Sequence, residues 1–70
     1  MRVALFLGMR TFRAFLLDSS GKIVDARSFQ CETVDQAVAQ AKKLAVNYAV
    51  ELWEPPVRVG WFEPNTGLLN

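Results

Sequence analysis

Histidine is absent from this chain, and cysteine occurs once, as Cys31. The first absence removes the commonest general base and the commonest zinc ligand; the second removes any intrachain disulfide. The four glycines stand singly, so no glycine-rich loop is present to cradle a phosphate. No apolar run approaches the roughly 20 residues that a helix needs to cross a bilayer. Neither sign of charge dominates: eight Lys and Arg stand against seven Asp and Glu, a net of +1. Chains dedicated to DNA or anionic membranes usually carry a large basic excess.

What remains is apolar and patterned. Of 70 residues, 51% are hydrophobic and 21% charged, which is a single small globular domain rather than a disordered chain. The start, Met1-Arg2-Val3-Ala4-Leu5-Phe6-Leu7-Gly8, is too short an apolar run for a signal peptide, and Arg10 and Arg13 follow with no small-residue cleavage site. With one unpaired thiol, the expected compartment is the reducing cytoplasm. Without a His partner or a second Cys, Cys31 reads as a small half-buried residue rather than a redox thiol.

Turn residues divide the chain: Asp18-Ser19-Ser20-Gly21, Glu54-Pro55-Pro56 and Glu63-Pro64-Asn65-Thr66-Gly67. Arg10 to Leu17 alternates as a strand, with Phe12, Ala14 and Leu16 on one face and Arg13, Phe15 and Leu17 on the other. Asp18 to Gly21 suits a type I turn closed by a left-handed glycine, and Ile23 to Phe29 is the returning strand. Thr33 to Tyr48 is predicted as a helix. Thr33 and Gln36 form a capping box, Asp35 complements the dipole, and Val34, Ala37, Val38, Ala41, Leu44, Ala45 and Tyr48 form one stripe. Val50 to Trp53 is a short strand, Pro55-Pro56 a stiff extended turn, and Val57 to Phe62 the last strand. In that strand Val57, Val59 and Trp61 are expected on one face, and Arg58, Gly60 and Phe62 on the other.

The expected fold class is therefore α+β: a mainly antiparallel sheet of four strands, or five, with one helix on one face, in the order ββαββ. Residues 9–64 form the domain and 65–70 a tail. Residues 1–8 are either an extension, with Met9 as the effective start, or an extra edge strand in which Val3 to Leu7 pairs through Gly8-Met9.

Ala4 to Asp18, with Gly21-Lys22-Ile23-Val24 behind it, looks like the opening of the sugar-kinase and actin superfamily. There the first strand ends in Asp-x-Gly-Thr around a phosphate. Here Phe6 stands at the Asp position and Met9 at the Thr position, so ATP binding is not expected. A second resemblance spans Met9 to Pro64. The residues Leu16-Leu17-Asp18, Gly21, Ile23, Phe29, Ala37, Ala41, Leu44 and Val50-Glu51-Leu52-Trp53 are similar to those of short uncharacterised bacterial proteins of strand–strand–helix–strand–strand order. That resemblance implies a fold and carries over no catalytic residue.

The chemistry needed for an enzyme is sparse. Ser19, Ser20 and Ser28 have no His to activate them, Lys42 and Lys43 lie on or near the polar helix face, and the carboxylates are scattered. A non-enzymatic chain without a cofactor or metal is expected. The sheet faces are more informative. One helix covers one face of a small sheet, and the other face should then read polar. The first and last strands are instead apolar on both faces. The expected interaction surface is Arg13, Phe15, Leu17, Trp53, Arg58 and Phe62, with Phe15 and Phe62 opposite the helix-facing Phe12, Leu16 and Trp61. A homodimer is the expected partner arrangement. Single-stranded nucleic acid, stacked on aromatics between arginines, is the alternative, and an antitoxin-like adaptor is a weaker one.

Overall fold

Alternating bulky residues build the strands of this domain, and alanines at four-residue spacing build its helix. A computed structural model describes residues 8–65. Strands β1 (Arg10–Leu17), β2 (Ile23–Cys31), β3 (Ala49–Glu54) and β4 (Val57–Phe62) form one antiparallel sheet, with helix α1 (Val34–Leu44) between β2 and β3. The sheet order is β2-β1-β3-β4, so among the described residues β1 and β3 are central and β2 and β4 are edges. This is the expected α+β fold. The conjectured strand over Val3 to Leu7 lies outside the described residues, as does the tail from Thr66.

The first hairpin turns as its residues dictate. Gly21 takes φ +86°, a conformation that costs glycine little. Its N–H donates to the Asp18 carbonyl at 2.9 Å, and the Asp18 N–H donates to the Lys22 carbonyl at 2.9 Å. Asp18 Oδ1 accepts from the Ser20 N–H, the Ser20 hydroxyl and the Lys22 N–H at 2.9, 2.7 and 3.0 Å. These bonds, the Ser20 hydroxyl foremost, hold the Asp18 carboxyl below its ordinary range. The turn leaves a register shift: Leu16 pairs with Asp25 but Leu17 with Ile23. Val24 is the extra residue, so Ile23 leaves the face that Asp25 and Arg27 share.

Helix α1 starts where the capping box predicts. Thr33 Oγ1 accepts from the Gln36 N–H at 3.1 Å, and Gln36 Oε1 accepts in return from the Glu32 N–H at 2.9 Å. Thr33→Ala should lower stability by about 1 kcal/mol, a fall in Tm of about 4–8 °C for a domain of this size. An unchanged Tm in a thermal scan would refute the cap.

The helix ends earlier than its stripe predicts. It stops at Leu44, and Ala45 (φ −83°, ψ 67°) turns the chain so that the Val46 N–H reaches the Leu44 carbonyl at 2.9 Å, an inverse γ-turn. Tyr48, expected on the buried stripe, lies beyond the helix and is exposed. Asn65 satisfies carbonyls at that helix end: its backbone N–H donates to the Ala45 carbonyl at 2.8 Å, and its side chain to the Lys42 carbonyl at 3.3 Å.

The core lies between α1 and one sheet face. Ala37, Ala41 and Ala45 are fully buried against Phe12, Ala14, Leu16, Val50 and Leu52. Small helix side chains let the helix backbone approach the larger sheet residues. Cys31 is buried in the same cluster, deeper than the half-buried position expected of it.

The second hairpin is tighter than an extended Pro-Pro turn. Glu54 pairs with Val57 directly across Pro55-Pro56, whose peptide bond is cis. Leu52 pairs with Gly60 but Trp53 with Arg58, which makes Val59 an extra residue. A one-residue bulge reverses which face each later side chain takes. The expected β4 alternation is corrected accordingly. Arg58, paired with Trp53, belongs to the face away from the helix. Phe62, paired with Val50 and packed on the core, belongs to the helix side. Trp61, paired with Glu51, takes the opposite face.

Candidate sheet-face interface

The face that α1 leaves uncovered is built by cross-strand rows. One row runs Ser28, Arg13, Trp53, Arg58; the next runs Ala26, Phe15, Glu51, Trp61; a third holds Ile23, Leu17 and Ala49. Five of the six expected interface residues, Arg13, Phe15, Leu17, Trp53 and Arg58, therefore share one face. Phe62 does not. Its place is taken by Trp61, which is 42% exposed. The sequence mark that could have located the bulge is Gly60, since a glycine inside a strand often accompanies one. A Cβ at Gly60 would sit in ordinary van der Waals contact with the Phe62 ring, at 3.6 Å.

Phe15, Leu17 and Trp53 are half-buried, on the side of the sheet that α1 does not cover. Glu51 Oε2 lies 3.0 Å from Arg58 Nε, which neutralises one pair of charges beside the aromatics. Arg13 is exposed and has no salt-bridge partner among the described residues. Trp53 Nε1 is buried with no acceptor among the described residues. Such an orphan donor costs about 1–3 kcal/mol, and it lies on the face rather than in the core. The Trp61 indole N–H is committed, donating to Glu63 Oε2 at 2.9 Å. Arg10 ties the start of β1 to the end of β3, donating to both Glu54 oxygens at 2.7 Å. That bidentate contact pulls the Glu54 carboxyl below its ordinary range and raises the Arg10 guanidinium.

Where the third row meets the first turn, Leu17, Asp18, Gly21, Asn47, Trp61 and Glu63 line a cleft of about 320 Å³. Asp18 Oδ1 and Glu63 Oε2 are already held by the turn and by Trp61. Among the described residues, no group of three His, Cys, Asp or Glu side chains could hold a metal, and no helix is long and apolar enough to cross a membrane. Taken together, the face offers aromatic and aliphatic area, two guanidinium groups and one carboxylate. Comparison with protein-family models, curated proteins and solved structures found no match.

Proposed function

We propose that this chain is a non-enzymatic, self-associating interaction module of a reducing compartment such as the cytoplasm, and that a second copy packs on its uncovered sheet face. The observation that carries the reading is the placement of Phe15, Leu17, Trp53 and Trp61 on the side of the sheet opposite α1. Sheet faces of this composition normally pack on another layer. A domain this small buries only about 60% of its unfolded surface by itself and gains from a partner. Near-neutral charge allows two copies to approach without strong repulsion.

The test is solution mass by light scattering across a concentration series, with circular dichroism as the folding control. The wild-type chain should be dimeric or larger. Phe15→Asp should weaken the face contact at least about 100-fold, because it places an unpaired charge where apolar area is buried, and should leave the helix and sheet signal unchanged. A wild-type chain that stays monomeric at millimolar concentration would sink the reading.

A specific observation favours a second reading: Arg13 and Arg58 flank Trp53 in one row, an arrangement on which a base can stack between cations. The net charge of +1 gives little phosphate attraction. Fluorescence anisotropy of a labelled single-stranded oligonucleotide separates the two: binding by wild type and loss in Trp53→Ala would favour nucleic acid over a second copy.

A further inference from the structure

The uncovered face is small. Four strands about 4.8 Å apart and six residues of about 3.4 Å each give a footprint of roughly 400 Å², about half of the ~800 Å² per partner in a standard stable interface. A second surface with the means to associate lies at the edge of the sheet. Strand β2 is an edge of nine residues, and Ile23 to Ser28 are all exposed. The Ala26 N–H is bonded to Asp25 Oδ1 at 2.8 Å rather than to β1. It therefore belongs to the set of backbone groups that faces outward, and alternation adds Ser28 and Gln30 to that set. The other edge, β4, is shorter, at six residues, and its bulge at Val59 falls in mid-strand, whereas the bulge of β2 at Val24 lies near one end and leaves Asp25 to Cys31 in regular register.

We propose that β2 pairs antiparallel with β2 of a second copy about a two-fold axis through Ala26. The charge pattern selects this register. Asp25 and Arg27 flank Ala26, so the axis places Asp25 opposite the partner's Arg27 and Arg27 opposite the partner's Asp25. A shift of the axis by one residue in either direction sets Arg27 against the partner's Arg27 or Asp25 against the partner's Asp25. Like charges directly opposite destabilise a strand pair. Edges guarded against pairing commonly carry charges such as Lys; opposite charges two residues apart are self-complementary instead.

In the single chain the same two residues hold each other, with Arg27 Nε 3.0 Å from Asp25 Oδ2, while Asp25 Oδ1 covers the Ala26 amide. Pairing exchanges that cover for two reciprocal bonds between the Ala26 N–H of each copy and the Ala26 carbonyl of the other. The axis is perpendicular to the sheet. Two four-stranded sheets become one of eight strands, with both helices on one side and both uncovered faces on the other. The edge contact uses a different surface from the face contact, and it doubles the area the face contact can cover.

A charge-swap mixture tests the register. Asp25→Arg and Arg27→Asp, each alone, place like charges opposite each other twice and should weaken edge association at least about tenfold. Mixed in equal amounts, the two variants place opposite charges at both pairs, and association should return as a heterodimer, read by native mass spectrometry. All chains carry Phe15→Asp, so that only the edge contact is measured, and circular dichroism confirms that each is folded. Restoration by the mixture supports the Ala26-centred pairing. If the Phe15→Asp chain is monomeric at millimolar concentration, or if the mixture associates no better than its components, the edge pairing is overturned while the face reading stands on its own test.

Discussion

Phe12→Ala is expected to remove a large fraction of the domain's stability. Phe12 is fully buried at the centre of the core. Its ring stacks on Phe29 with centroids 6.2 Å apart and planes 19° from parallel. The Arg10 guanidinium lies over the same ring, 5.9 Å from its centroid. Removing such a ring costs about 3–5 kcal/mol in transfer free energy and cavity. A chain of this length has roughly 4–10 kcal/mol of total stability. The loss is therefore a large fraction of what holds the fold. The buried helix residues of the same cluster are alanines, Ala37 and Ala41 among them, and alanine cannot extend into the space left behind. Urea unfolding followed by circular dichroism measures the loss. A variant with a midpoint close to that of wild type would mean that Phe12 does not anchor the core.

The second large effect separates two neighbours in β4. Phe62→Asp should strongly destabilise the fold, whereas Trp61→Asp should leave the helix and sheet signal intact and weaken self-association. Phe62 packs on the core side of the sheet, opposite Val50 and over Gly60. Phe62 is half-buried, and a carboxylate in its place would lose both that apolar packing and part of its hydration, at a cost of several kcal/mol. Trp61 is exposed on the other face, and a charge there stays hydrated in the single chain. Circular dichroism and light scattering on the two variants decide the matter. A folded Phe62→Asp together with an unfolded Trp61→Asp would place the bulge elsewhere and restore the simple alternation of β4.

That pair of residues also shows where reading the sequence runs out. Local signals located every element of the described domain. Asp18 to Gly21 marked the first turn because a short side-chain acceptor and a left-handed glycine are chemical requirements of that turn. Thr33 and Gln36 marked the helix start because the first amides of a helix need acceptors. The alternation in β1 put Phe12, Ala14 and Leu16 on one side and Arg13, Phe15 and Leu17 on the other, and the structure keeps both sets. The helix end was less legible. Tyr48 continues the apolar spacing of α1, but the chain has already turned at Ala45, and Asn65, distant in sequence, supplies donors to the carbonyls of the last turn.

By itself, then, the sequence determined what depends on near neighbours: the order ββαββ, the caps and turns, the alanine stripe, and the surplus of bulky residues beyond what one helix can cover. The tertiary structure decided what depends on pairing between distant strands. Among the described residues the sheet order β2-β1-β3-β4 leaves β2, with Asp25 and Arg27 on either side of Ala26, at an edge. The extra residue at Val59 exchanges Phe62 for Trp61 on the uncovered face. Side-chain direction along a strand has period two, so one unpaired residue inverts every later assignment. Whether a residue is left unpaired is settled by the partner strand, and the local sequence carries little of that information.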